Sequence, residues 1–344
     1  MKKRNTTLKD LAMALGLSVS TVSRALNNHP DISKKTRIKV QELARSYKYS
    51  PNLFAKGFRT KHTHIIGVIV PDISHYFTTT TVKGILEQGE ALGYQVFVAE
   101  SQNSEQKQEN LLHSMTQFGV DGILLSLVRE AGDILPITET MDKVPLVMFD
   151  KVSDKVPCSQ IVINEVESAF NAVEHLINTG KNRIAFLKES ENSYSSNKRL
   201  EGYVKAHDHH GLVLDDKLIL ESHAIGREKG REMTVELLSL QHPPDAIFAV
   251  TDDVAIGAIQ ALNQHQIKIP DEIAVVGFSN SENSLIISPS LSTIDQPGKR
   301  IGETAVSCLV AEIESEKELK LPKRIEIATN LVIRESSFRK PTFN

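Results

Sequence analysis

Only two cysteines, Cys158 and Cys308, occur in the 344 residues. They lie far apart and form neither a CxxC pair nor a zinc spacing, so neither a disulfide scaffold nor a zinc site is expected. Long apolar runs are also missing. None approaches the roughly 18 residues that suggest a membrane-spanning helix. The opening MKKRNTTLKDLAMALG is basic but lacks the apolar stretch of a secretory signal, so a soluble cytoplasmic protein is expected. The signatures GxGxxG, GxxxxGK[ST], HExxH and GxSxG do not occur. No nucleophile, base and orienter stand in order, and the chain reads as carrying no enzyme activity, cofactor or metal.

What is present is ordinary for a folded protein. A 40% hydrophobic share leaves ample material for a core, which argues against extended disorder. The length suggests two or three domains. The net charge of -3 conceals an asymmetry. Residues 1–60 hold 13 Lys and Arg against Asp10, Asp31 and Glu42, a formal +10; the remainder holds 27 bases and 40 acids, a formal -13. A compact basic head on an acidic body suggests a polyanionic partner for the head. The bland alternative is a solvated charged surface.

The head has local signals for three helices. Thr7 precedes Leu8, with Asp10 three residues on, an N-cap followed by an acidic first turn. Leu8, Leu11, Ala12 and Leu15 form one apolar stripe, and Gly16 stops the helix. Ser18 offers the next N-cap for VSTVSRALN. Val22, Ala25 and Leu26 then face inward, and Val19, Ser20 and Arg24 face the other way. A third helix is expected from Ser33, with Val40, Leu43, Ala44 and Tyr47 as its buried stripe. Such segments also build plain helical bundles. Here the outer side of the second helix is small and polar with one arginine, a surface suited to a major groove, where arginine grips guanine O6 and N7.

The stretch TLKDLAMALGLSVSTVSRALNNHPDISKKTRIKVQELARSYKYSPNLFAKGFRT resembles the DNA-binding head of the LacI/GalR family of bacterial regulators, and the similarity runs to about residue 335. The resemblance implies base contacts from Val19, Ser20 and Arg24. It implies backbone contacts from hydroxyls and neighbouring groups, with Thr7, Thr21, Ser23 and Asn27 as candidates; these set register and affinity but do not specify sequence.

Ser50-Pro51 opens a further short helical segment, SPNLFAKGFRT, weakened by Gly57 and marginal alone in water. The resemblance implies a hinge helix that folds on operator DNA beside its copy from a second subunit, contacting DNA through Asn52, Ala55, Lys56 and Phe58. Phe58 stands where leucine is usual and remains a competent minor-groove wedge. Lys56 stands where arginine is usual and keeps the charge without the planar fork. The bland alternative is that Phe58 packs the head on the body.

From residue 65 the chain alternates apolar runs with helical patterns: IIGVIV, YQVFVAE, VDGILLS, PLVMFD, SQIVIN, then RIAFL, KLIL, AIFAV and IAVVGF. Strands separated by helices imply parallel sheets covered on both faces, and two consecutive sets imply two doubly wound lobes. Ligands in such folds lie beyond the carboxyl ends of the strands. His75, Tyr76 and Phe77 (after Asp72 and Ser74), Asp150, Asn164, Arg199, Asp252 and Ser279 stand there. Together they supply the carboxylates, amide, guanidinium and aromatic face that a hydroxyl-rich ligand such as a sugar needs. Each has a bland alternative. Asp252 caps a helix, Asp150 ends a strand in a turn, Arg199 pairs with a surface acid, and the aromatics are core.

The resemblance implies a body like periplasmic sugar-binding proteins, with an effector between the lobes and LSTIDQP (291–297) crossing back into the first lobe. Ser279 replaces an aspartate common in sugar-binding members, and HAIGRE (223–228) lacks an aromatic, with Ile225 nearest to it. These departures leave the effector's class and the sign of its effect open. His207, Asp208, His209 and His210 invite a metal reading, but a solvated helix end before Gly211 suits cationic histidines better.

The expected organisation is an all-α helix-turn-helix head at 1–49, a hinge helix and linker at 50–62, and an α/β periplasmic-binding-protein-like body at 63–340. Its lobes are expected at about 63–162 plus 292–322, and about 163–291 plus 323–340. The expected function is sequence-specific transcription regulation, favouring repression, by a homodimer on a near-palindromic double-stranded DNA operator under a small-molecule effector, with a sugar or sugar derivative as the candidate class. The dimer comes from the resemblance, and NLVIRESSFRKPTFN shows no leucine heptad of a tetramer helix. The alternative is a cytoplasmic small-molecule-binding or sugar-processing protein with an incidental basic head.

Overall fold

The computed structural model describes residues 6–49, 62–128, 132–190, 193–315 and 321–338. The hinge positions Asn52, Ala55, Lys56 and Phe58 lie outside them. The chain divides into two compact units, Met1–Thr63 and His64–Asn344.

The first unit carries α1 (Leu8–Leu15), α2 (Val19–Leu26) and α3 (Lys34–Ser46). Each begins as its sequence suggests. Thr7 and Asp10 form a reciprocal capping box, and the Oγ atoms of Ser18 and Ser33 accept the Thr21 and Thr36 amides at 3.1 and 3.2 Å. Gly16 ends α1 at φ +64°, a left-handed backbone that glycine adopts without a Cβ penalty. Leu11, Ala12, Val22, Ala25, Val40 and Ala44 form the core. Tyr47 departs from the expected stripe. The helix ends at Ser46, so Tyr47 turns outward at 48% exposure and Tyr49 packs on the core instead.

The second unit contains two six-stranded sheets. The first lobe comprises β1 (Ile65–Val70), α4 (Tyr76–Ala91), β2 (Gln95–Glu100), α5 (Glu105–Phe118), β3 (Gly122–Leu125), α6 (Leu135–Met141), β4 (Leu146–Phe149) and β5 (Ser159–Ile163). The second comprises α7 (Glu165–Asn178), β6 (Ile184–Glu189), α8 (Tyr194–His209), β7 (Ile219–Ser222), α9 (Arg227–Leu238), β8 (Ala246–Ala249), α10 (Asp252–Gln264), β9 (Ala274–Ser279), α11 (Asn283–Ile286) and β10 (Ser292–Asp295). Then α12 (Gly298–Glu314) and β11 (Arg324–Ile327) return to the first lobe, and β12 (Asn330–Val332) to the second.

The sheet orders are β11-β5-β4-β3-β1-β2 and β12-β10-β9-β8-β6-β7. All pairings are parallel except β12 on β10. The central strands β1, β3, β4 and β8 are buried along their whole length, which is why they read as unbroken apolar runs.

The chain crosses between lobes after β5, β10 and β11, so the last two crossings fall later than the sequence suggests. Residues 292–295 pair with β9, and 324–327 with β5. The boundary near 292 therefore moves to about 296, and that near 323 to about 328. These strands are four residues long and carry polar side chains, so no apolar run marks them. Against α4, α12 packs without a gap. A Cβ on Gly84 would fall on the Lys299 carbonyl oxygen, and one on Gly302 on that of Thr81.

Candidate functional site

In the head, Val19, Ser20 and Arg24 project from one side of α2 into solvent. Arg24 makes no hydrogen bond or ion pair among the described residues, so its five donors are available. Ser18, Ser20 and Thr21 cluster their hydroxyls at the helix start, with Oγ–Oγ distances of 2.8 Å. Thr7 is exposed beside Asp10 at the start of α1. Ser23 departs from the expectation. At 7% exposure it lies on the buried edge with Val22 and Ala25, not on the open side of the helix. Asn27 is exposed, but its Nδ2 donates to the Ser23 carbonyl at 2.8 Å and closes the helix.

In the body, a cavity of about 440 Å³ opens at the carboxyl ends of strands from both sheets. His75 precedes α4 and Tyr76 and Phe77 open it, Asp150 follows β4, Arg199 projects from α8, Asp252 opens α10, and Ser279 ends β9. All seven line this one cavity. Asn164 does not. It precedes α7, where Nδ2 donates to Glu167 at 2.9 Å and Oδ1 accepts the Thr329 amide at 3.0 Å. It pins two lobe crossings together, because β5 hands over to α7 beside the segment from β11 to β12. It is not among the residues that line this cavity.

The bland alternatives resolve residue by residue. Thr251, not Asp252, caps α10. The Asp252 carboxylate is 2% exposed and accepts the Ser281 amide at 2.6 Å and the Thr293 hydroxyl at 2.5 Å, tying β9 and β10 to the cavity floor. Burial pushes its carboxyl above the usual range. Arg199 pairs with no surface acid. It is 4% exposed, holds Glu165 through Nε at 2.7 Å and Nη2 at 3.2 Å, donates through Nη1 to the Val250 carbonyl, and lies 3.5 Å over the Phe278 ring. Two of its five N–H groups remain for a ligand. Tyr76 is 38% exposed, whereas Phe77 packs partly on the core.

Asp150 has φ +61°, an uncommon conformation for a residue with a side chain, of the kind stored at functional sites. Burial, and secondarily the Glu165 charge, raise its carboxyl to about 6; Lys151, Arg199 and a 3.3 Å bond from Ser126 Oγ oppose the rise. A raised carboxylate binds its proton more tightly folded than unfolded. Its contribution to stability therefore falls as pH rises from about 4 to 6, by roughly 3 kcal/mol at about 1.4 kcal/mol per pKa unit. Asp150→Asn keeps the left-handed backbone and removes the titration. Denaturation between pH 4 and 7 is expected to give the variant a flatter low-pH to neutral profile, and parallel curves would exclude Asp150 as the titrating group.

The cavity also gathers residues that sequence reasoning left aside: Lys151, Glu189, Ser193, Ser195, His223 and Gln296. Lys151 had a readable signal, since it directly follows Asp150. Gln296 follows β10, Ser193 precedes α8 and Ser195 opens it, and only the folding of remote segments brings them together. His207 is also corrected. It is 2% exposed, bonded through Nδ1 to the Tyr203 carbonyl at 2.9 Å, and not solvated; burial lowers its pKa. His210 Nε2 lies 3.3 Å from Glu174, with His209 nearby, an ordinary histidine–carboxylate pairing at a helix end.

Comparison with known proteins agrees with both units. Residues 7–52 match the model of the bacterial regulatory proteins, lacI family, and residues 173–337 that of the periplasmic binding protein-like domain. The HTH-type transcriptional regulator DegA of Bacillus subtilis is 31% identical over 96% of this chain and 98% of its own. The chain belongs to the LacI family. Among solved structures, the Lac repressor dimer bound to operator and the anti-inducer ONPF superposes with a TM-score of 0.86 at 25% identity, covering 98% of this chain and 100% of that one. The CelR–cellobiose complex gives 0.73 at 26% identity, over 96% and 100%. LacI-family relatives are transcriptional regulators, so regulation stands and the sugar-processing alternative falls. No helix among the described residues is long and apolar enough to cross a membrane.

Proposed function

We propose that this LacI-family chain is a cytoplasmic repressor that binds a near-palindromic operator as a homodimer under the control of a hydroxyl-rich small molecule. The observation that carries the reading is a polar cavity bounded by the strand ends of two lobes, in the same chain as a basic head with an outward-facing helix. Val19, Ser20 and Arg24 read base edges, and Thr7, Thr21 and Asn27 hold the backbone. Asn52, Ala55, Lys56 and Phe58 contact the operator centre, with Phe58 wedged into the minor groove. His75, Tyr76, Phe77, Asp150, Arg199, Asp252 and Ser279 receive the effector. The Lac repressor dimer bound to operator and the CelR–cellobiose complex, both similar to this chain, support an operator-binding dimer with a sugar-type ligand.

Ligand binding shifts the angle between lobes through the crossings near Asn164, Gln296 and Thr329. A differential affinity of about 1–3 kcal/mol then changes operator affinity roughly 5–150-fold. Selection from a random duplex library at moderate salt tests the reading. The full chain is expected to enrich a palindrome with a flexible pyrimidine–purine step at its centre. Failure to enrich any sequence, with and without a pool of sugars, would overturn it.

A further inference from the structure

We infer that the effector carries an anionic group, a carboxylate or a phosphate on a hydroxyl-rich frame, and that Lys151 receives it. The inference rests on reading the cavity as the effector site. It starts from which polar groups around the cavity are already committed. Four of its five carboxylates are held within the protein. Asp72 accepts the Ser74 amide and hydroxyl at 2.7 and 2.6 Å, and Glu189 the Ser193 hydroxyl at 2.7 Å. Asp252 is bonded to Ser281 and Thr293, and Asp253 to Arg227 Nε at 2.9 Å. Asp150 keeps one long bond.

The donors are less committed. Lys151 is half-buried in the cavity wall, and its ammonium makes no hydrogen bond or ion pair among the described residues. Gln296 is 7% exposed and its carboxamide has no hydrogen-bond partner there either; Ser195 is 8% exposed and its hydroxyl likewise has none. Arg199 keeps two N–H groups. Ser279 offers a hydroxyl at the end of β9, not a carboxylate.

A cavity with donors to spare selects a ligand rich in acceptors. A neutral hydroxyl brings one donor with its acceptors, whereas a carboxylate or phosphate brings acceptors and charge. The half-buried setting of Lys151 also screens such a bond less than open solvent does. The Lys151 charge reaches both Asp72 and Asp150 and lowers their pKa values. Asp72 stays ionised with its acceptors turned to Ser74, and Asp150, raised to about 6, is the carboxyl that can take up a proton when an anion is held at Lys151.

Titration calorimetry on the full-length protein tests this with galactose, galacturonate and galactose 6-phosphate, and with the glucose counterparts. At least one anionic sugar is expected to bind about 10-fold or more tighter than its neutral parent, as a charge-assisted bond implies. The uronate and phosphate arms separate the two anion sources. Lys151→Gln should remove the preference, and Lys151→Arg, which keeps the charge, should retain it. A neutral parent that binds as tightly as its anions overturns the inference and leaves the effector site standing. An anion preference that survives in Lys151→Gln overturns the role of Lys151. Absence of binding by every sugar in the panel overturns the sugar reading of the cavity itself.

Discussion

Arg199→Met is expected to lower the melting temperature by roughly 10 °C. The guanidinium and Glu165 are 4% and 5% exposed and joined by a two-point contact. Removing one partner of a buried pair leaves an uncompensated charge, at about 3–5 kcal/mol. For a body of this size each kcal/mol moves the melting point by about 2–4 °C. The Val250 carbonyl also loses a donor and Phe278 its stacked cation. The double variant Glu165→Leu with Arg199→Met should recover most of the loss, because no charge is then stranded. Both variants also remove the two N–H groups left unengaged in the cavity wall, so the proposed effector should raise their melting temperature less than the parent's. Scanning calorimetry of the three proteins decides the matter. A single variant that melts within a degree or two of the parent would mean that Arg199 is not what compensates Glu165.

Arg24→Ala is expected to weaken operator binding by about 1–3 kcal/mol per half-site and to relax the requirement at one base pair in each. Arg24 is exposed on the outer side of α2 and engaged by no described residue, so the change removes no fold-stabilising contact. The effect should therefore appear in binding and leave the melting temperature unchanged. Gel-shift titrations against the selected operator and its single-base variants separate two roles. A base-reading arginine loses discrimination at one position and retains it elsewhere. An equal loss on every sequence, with a salt slope smaller by about 1, would assign Arg24 to a phosphate.

Local signals carried much of this architecture. The Thr7, Ser18 and Ser33 caps and the Gly16 stop depend on neighbours within four residues, so they read directly from the chain. The central strands were equally legible, because strands buried on both faces must be apolar throughout. Alternation of strands and helices in turn located the carboxyl ends where a ligand lies. Seven of the eight body residues singled out on that ground line one cavity.

The exceptions share a physical cause: they depend on contacts between segments distant in sequence. Asn164 follows an apolar strand like Asp150 does, but its Oδ1 accepts the amide of Thr329, 165 residues away, and it does not line the cavity. Ser23 and His207 are polar residues that a packed neighbour buries. The strands β10, β11 and β12 are only three or four residues long and form no extended apolar run, and they exist because a partner strand supplies their hydrogen bonds. The sequence by itself therefore determined a basic helical head, two parallel-sheet lobes and the strand ends between them, because periodicity and capping act over a few residues. Only the tertiary structure decided where the chain changes lobes, that Arg199 is held by Glu165, and that Lys151 and Gln296 face the same cavity as Asp150, because those facts arise only when remote segments meet.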